Sequence, residues 1–348
     1  MVYTKLDKNA KVWGKMLKKA MRVPYSLVSQ FRELGNKYIM DNLFLGMPLF
    51  VQIEITSKCN LICKYCQRTS DPDNQSDNDM TLDSFNMIIN QLKYPTRSVH
   101  LVGMGEPLLN PDLFSMIRSA KKNGLEVSLI DNFTLIDREK SLALIESGLD
   151  FLYISFDSAS KYTFEELRTG AEFEKVINNV KLFVKTKQET KAKRPVFLFK
   201  STISSFNINE IPQLIKLAED LGADGINFGK MMSEEESHSS ISTIRLSEKD
   251  MPRSKIRVYP CELSSSYQCD ALSGCYVTFD LKVLPCGLIP ESTHRAQYSQ
   301  FTLGDLGIET LGNVWRHSFR KFRKKIKSGN YLPRCKTCAG YKELSKRV

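Results

Sequence analysis

Six times between residues 50 and 230 a short apolar run gives way to an amphipathic stretch, and this alternation restricts the fold more than any other property of the chain. The runs at 49–55, 98–102, 125–130, 151–156, 195–201 and 225–228 read as strands. The stretches between them carry helix punctuation. Thr81 stands where an N-cap belongs, Asn110 and Pro111 open a helix, and Gly124, Gly148 and Gly222 close helices. Such alternation implies parallel strands joined by right-handed crossovers. The expectation is an α/β fold, a partial (β/α)6 TIM-like barrel, in which functional residues gather in the loops at the strand C-terminal ends.

The loop after the first strand carries Cys59, Cys63 and Cys66 at C-x3-C-x2-C spacing. Three thiolates in so short a loop suit a soft metal or an iron–sulfur cluster, with one coordination position left for another ligand. The second strand ends in G103-M-G105-E106-P107, a turn that lets a ligand approach the backbone and sets Glu106 to meet a cation. No nucleophile triad, glycosidase carboxylate pair or phosphate loop is present, so hydrolase and kinase chemistry is not indicated.

The triplet C59-N-L-I-C63-K-Y65-C66, with Tyr65 just before the third cysteine, resembles the signature of the radical S-adenosylmethionine (SAM) enzymes. That resemblance implies a [4Fe-4S] cluster on the three cysteines, SAM chelating the fourth iron, and a 5′-deoxyadenosyl radical. It further implies SAM contacts at Gly105 and Glu106 in the GMGEP stretch, at Asn132 in D131-N-F133, at Ser155 and Asp157 in S155-F-D157, and at Arg168. Ile226 and Phe228 would take the adenine. Relatives usually carry Thr-Asn-Gly where Asp131 and Phe133 stand here.

Nine cysteines in tight groups, with no secretory signal, argue for metal rather than disulfides and for a cytoplasmic protein. Residues 231–244 are polar and serine-rich and mark a boundary. Beyond them lie Cys261, Cys269, Cys275, Cys286, Cys335 and Cys338, with a hairpin expected around Asp280. The C-x2-C pair at 335–338 also suits structural zinc, which stays an alternative. The region resembles the SPASM or twitch extension of radical SAM enzymes, although the run from Asp280 to Cys286 has no glycine and no cysteine follows Cys338. This implies one auxiliary [4Fe-4S] cluster on Cys269, Cys275, Cys286 and one or both of Cys335 and Cys338, leaving Cys261 as a candidate catalytic hydrogen-atom donor. The expected division is an N-terminal helical extension at 1–48, the barrel at 49–230, and a small α+β cysteine-rich auxiliary domain at 231–348.

The net charge of +11 sits at the ends, with twelve Lys or Arg against one acid over 316–348 and seven against one over 1–26. No aromatic-interleaved motif accompanies it, so nucleic acid is not the expected partner, and no apolar run is long enough for a transmembrane segment. The expected reaction is a radical SAM oxidation of a polar small molecule such as a sugar or aminocyclitol, with the auxiliary cluster as electron acceptor and flavodoxin or ferredoxin as reductant. Two alternatives stand beside it: a peptide-modifying radical SAM enzyme (epimerase, crosslinking or oxidising), and a non-enzymatic metal protein that binds nucleic acid.

Overall fold

The computed structural model of the chain describes residues 46–71, 77–230, 252–259, 269–329, 332 and 335. Cys261, Cys338, residues 1–45 of the expected helical extension and the 231–244 boundary lie outside the described residues.

Six parallel strands follow the predicted alternation: β1 (Phe50–Ile53), β2 (Ser98–Leu101), β3 (Glu126–Asp131), β4 (Phe151–Ser155), β5 (Val196–Ile203) and β6 (Gly225–Lys230). They lie side by side in chain order. Each is joined to the next through at least one helix, which satisfies the rule that parallel strands need a long crossover. The local punctuation acts as read. Thr81 caps the helix Leu82–Gln91 by accepting the Ser84 N–H, and Gly124 ends Leu113–Lys122 at φ +73°. Asn110 does something else. Its side-chain amide donates to the carbonyls of Ile55 (2.7 Å) and Met80 (3.1 Å), tying the segment after β1 to the start of the next helix. The core is the apolar filling between strands and helices, with Phe133, Phe156, Phe183, Phe197 and Phe199 all buried in one cluster.

The expectation stopped at six strands, and the sheet is wider. A seventh parallel strand, β7 (Arg257–Tyr259), pairs with β6. On the other side β8 (Gly274–Val277) pairs with β1 in parallel, Cys275 lying opposite Val51, and the predicted hairpin leads antiparallel into β9 (Lys282–Leu284) and β10 (Gly304–Asp305). The cysteine-rich extension therefore continues the barrel sheet. Leu281 makes the turn into β9 at φ +68°, in the run that lacks a glycine. Two short helices, Leu311–Arg316 and Ser318–Lys327, follow and meet at His317.

Candidate functional site

A cavity of about 660 Å³ opens over the C-terminal ends of the strands. Its wall takes Cys59, Cys63 and Cys66 from the loop after β1, Gly105 and Glu106 after β2, and Asp131 and Asn132 at β3. Ser155 and Asp157 follow β4, and Arg168 comes from the helix Lys161–Leu167 beyond it. The fold thus brings ten of the predicted residues, Tyr65 among them, to one wall. Ile226 and Phe228 are not there: both are buried in the hydrophobic core, as apolar residues of an interior parallel strand tend to be, and only Gly229 of β6 reaches the cavity.

Cys59, Cys63 and Cys66 are free thiols. Desolvation raises all three pKa values, Cys59 to about 12, and each thiolate would also feel another thiol of the set or a nearby carboxylate. Three such thiolates cannot coexist without cationic compensation. A metal centre deprotonates its thiol ligands outright, so the donor set fits a metal group. Among the described residues no His, Cys, Asp or Glu group of three is gathered tightly enough to hold a single ion.

The loop is held to the neighbouring strand ends. The Glu106 N–H donates to the Lys58 carbonyl at 2.6 Å. A β-carbon on Gly105 would lie 2.2 Å from the Thr56 oxygen and 2.7 Å from that of Lys58, so this close approach admits only glycine. Asn132 donates through Nδ2 to Asn60 Oδ1 (3.0 Å), and its Oδ1 accepts from Thr134, whose hydroxyl in turn accepts from Asn60 Nδ2 (2.7 Å). Phe133, standing where relatives usually have glycine, adopts φ +61° and is fully buried against Phe183 and Phe197. Aromatic packing thus offsets a backbone strain of about 1–3 kcal/mol.

Glu106 is buried, accepting N–H bonds from Leu108 (3.1 Å) and Asn132 (2.8 Å). Desolvation and the neighbouring Asp131 push its pKa well up, and desolvation raises that of Asp131 too. Arg168 differs from expectation. Its guanidinium is already paired with Asp157 at 2.6 Å, its Nε is buried without a partner, and it draws the Cys63 pKa down against the larger effect of burial. Asp157 also accepts the Thr202 N–H at 2.7 Å, joining β4 to β5.

Sequence reading missed part of the cavity wall. Lys200 on β5 and Glu291, Ser292 and His294 around the helix Leu288–Ser292 face the same cavity. That segment is tied down by Arg295, whose guanidinium meets buried Glu54 at 2.8 Å and whose N–H donates to buried Asp71. Glu54 in turn accepts the Met104 N–H at 3.1 Å, so the extension is linked to the GMGEP turn. Enclosure raises the Glu291 pKa while Lys200 opposes the rise. No motif announces these residues.

The later cysteines divide. Cys286 packs beside Tyr276, Leu284 and Ile289, Cys269 packs beside Ala271, Phe322 and Ile326, and Leu332 touches both groups. The Cys335 N–H donates to the Leu332 carbonyl at 2.9 Å, bringing a third cysteine to this region. Cys275 lies instead in the main core, 1% exposed, its thiol raised by burial alone with no neighbouring charge acting on it. Strand alternation is the cause, since Tyr276 takes the other face of β8. Among the described residues, Cys275 thus lies in a different cluster from Cys269 and Cys286.

A family model described as the radical SAM superfamily matches residues 53–218, and one described as the SPASM iron–sulfur cluster-binding domain matches residues 269–339. The chain is similar to the tungsten-containing aldehyde ferredoxin oxidoreductase cofactor-modifying protein of Pyrococcus furiosus, 29% identical over 183 residues that cover 51% of this chain and 50% of that protein. It is also similar to the PqqA peptide cyclase of Bradyrhizobium diazoefficiens, 29% identical over 180 residues covering 51% and 45%. The matches thus span about half the length of these curated relatives. Among solved structures, SuiB of Streptococcus suis bound to its precursor peptide SuiA gives a TM-score of 0.64 at 16% identity, covering 98% of this chain and 83% of that one. Native anSMEcpe with bound AdoMet gives 0.59 at 18%, covering 86% and 88%. At these identities the shared property is the fold.

Proposed function

The chain belongs to the radical SAM superfamily and carries a SPASM iron–sulfur domain, and from that premise we propose that this enzyme modifies a peptide. When bound, a [4Fe-4S] cluster and SAM supply the 5′-deoxyadenosyl radical, and the SPASM domain binds auxiliary iron–sulfur. Cys59, Cys63 and Cys66 would hold the first cluster, their raised pKa values being offset by metal charge. Glu106 would accept from the SAM ammonium. Arg168, neutralised by Asp157, would orient the cluster loop through Cys63 rather than take the SAM carboxylate by itself. Cys269, Cys286, Cys335 and Cys338 are the proposed auxiliary ligands, and the proposed domains keep the bounds 1–48, 49–230 and 231–348. An external reductant such as flavodoxin or ferredoxin is part of the proposal.

The observation that carries the peptide reading is the polar lining that the extension adds to the cavity of about 660 Å³, where Glu291, Ser292 and His294 join Lys200. Their hydrogen-bonding groups suit the backbone and side chains of a polar chain segment beside the cluster and SAM. Similarity to a peptide cyclase and a fold shared with a peptide-bound enzyme support the same choice. Oxidation of a sugar or aminocyclitol, expected first from the sequence, takes second place for that reason.

The test is anaerobic turnover of the reconstituted, reduced enzyme against peptides encoded in adjacent reading frames and, in parallel, against aminocyclitols. Peptide-dependent growth of 5′-deoxyadenosine with a mass change in the peptide is the expected result. Product from the aminocyclitols alone would overturn the peptide reading.

A further inference from the structure

Glu106 is not the sole carboxylate at its end of the cavity. Asp131 closes β3, the strand hydrogen-bonded to β2, and its side chain is as buried as that of Glu106, the two residues being 1% and 3% exposed. Both oxygens of Glu106 receive backbone N–H bonds. Asp131 Oδ1 accepts the Phe133 N–H at 2.6 Å, Oδ2 is buried with no N–H donor, and the Asp131 and Glu106 carboxyls lie within hydrogen-bonding reach of each other, a contact they can make only by sharing a proton; Asp131 also lines the cavity. An acceptor left without a donor in such a place is costly, and more so beside a second carboxylate.

The turn nevertheless holds the two together. The Asn132 N–H that binds Glu106 follows directly on Asp131, and Phe133 is fixed in its left-handed conformation by packing. Such a pair calls for a cation with several N–H donors. Of the protein cations around the cavity, Lys58 pairs with Asp79, Lys64 with Glu166, Arg168 with Asp157 and Arg295 with Glu54, Lys200 lies beside Glu291, and none of them acts on the Asp131 carboxyl. The cation must therefore come with the ligand.

We propose that Asp131 is a second carboxylate for the SAM α-ammonium, its Oδ2 accepting one N–H while Glu106 accepts another. The inference rests on the SAM site proposed above. An ammonium carries three donors, so it satisfies both carboxylates at once and removes the buried orphan. Charge-assisted bonds of this kind are the strong ones. The same feature selects for ligands that carry the amino group over adenosine derivatives that lack it.

The experiment compares two probes on the cluster-loaded enzyme by titration calorimetry. S-adenosylhomocysteine has the α-ammonium, and 5′-methylthioadenosine has none. Asp131→Asn should weaken S-adenosylhomocysteine by about tenfold or more and leave 5′-methylthioadenosine within about twofold, as for a contact confined to the amino-acid end. Glu106→Gln should behave likewise. Asp131→Thr, which also removes the charge, is read in the same way, so that a folding defect in one variant does not decide the matter. Unchanged S-adenosylhomocysteine affinity in the Asp131 variants with a loss in Glu106→Gln would overturn the role of Asp131 while leaving the SAM site standing. An equal loss for both probes would also overturn it, since that marks general distortion. Wild-type affinity in all variants would sink the SAM site itself.

Discussion

Gly105→Ala should uncouple the fold from the chemistry in a measurable way. The added β-carbon would stand 2.2 Å from the Thr56 oxygen, 2.7 Å from the Lys58 oxygen and 2.8 Å from the Thr56 carbonyl carbon. All three are backbone atoms, so no side chain can swing aside. Restoring an ordinary contact needs the GMGEP turn and the cysteine loop to separate by about 1 Å, an overpacking that costs about 1–3 kcal/mol. The shift falls on Glu106, whose N–H is bonded to Lys58, and on Cys59, the next residue after Lys58. Displacement of reacting groups by about 1 Å costs on the order of a hundredfold in rate. The assay is 5′-deoxyadenosine formation by the reconstituted, reduced variant, with thermal unfolding alongside. Gly124→Ala is the control, since φ is +73° there with nothing within 4 Å of the new carbon. It should lose about 1–2 kcal/mol through left-handed strain and keep its activity. Wild-type SAM cleavage by Gly105→Ala would refute the argument.

Other consequences follow from the same packing. Arg295→Met strands the Glu54 carboxylate, whose side chain is wholly buried, and should destabilise the protein by about 3–5 kcal/mol in urea unfolding; a change near zero would contradict the linkage between extension and barrel. Cys275→Ala should leave the iron content of the reconstituted enzyme unchanged, whereas Cys286→Ala should lower it by about four irons, the content of one cubane; iron counting checks both. His100 bonds Ser128 Oγ at 2.6 Å, and burial depresses its pKa from 6.5 to about 4. The unfolded chain therefore binds the extra proton first. The stability tied to neutral His100 is present above about pH 6.5 and is lost as the pH falls through about 4, on the order of 2–3 kcal/mol. His100→Gln should flatten that part of the acid denaturation curve, and an unchanged curve would show that His100 is not its source.

Strands β1 to β6 were legible because each is a local apolar run between capping residues, and the cysteine loop because its spacing is local too. Pairing between distant segments is not written in local periodicity. Nothing in 274–277 distinguishes a strand that joins β1 in parallel from one confined to a separate hairpin. For the same reason Glu291, Ser292 and His294 gave no signal, since they reach the cavity only because Arg295 fastens their segment to Glu54 and Asp71. Phe133 and Leu281 misled in another way. Each holds a left-handed φ in a stretch where glycine was looked for, Phe133 fully buried and Leu281 packed against the main core. A motif can thus be absent in letters and present in backbone. Ile226, Phe228 and Cys275, which the sequence reading sets at ligand sites, are buried in the core.

Cys59, Cys63 and Cys66 are the residues proposed to carry the cluster to which SAM binds. Electron paramagnetic resonance of the reduced, reconstituted Cys269→Ala/Cys286→Ala variant, recorded with and without SAM, isolates that cluster from the auxiliary one. The expected result is a reduced-cluster signal whose shape changes on adding SAM and which vanishes when Cys63 is also replaced by Ala. A signal indifferent to SAM, or one that survives the loss of Cys63, would contradict it.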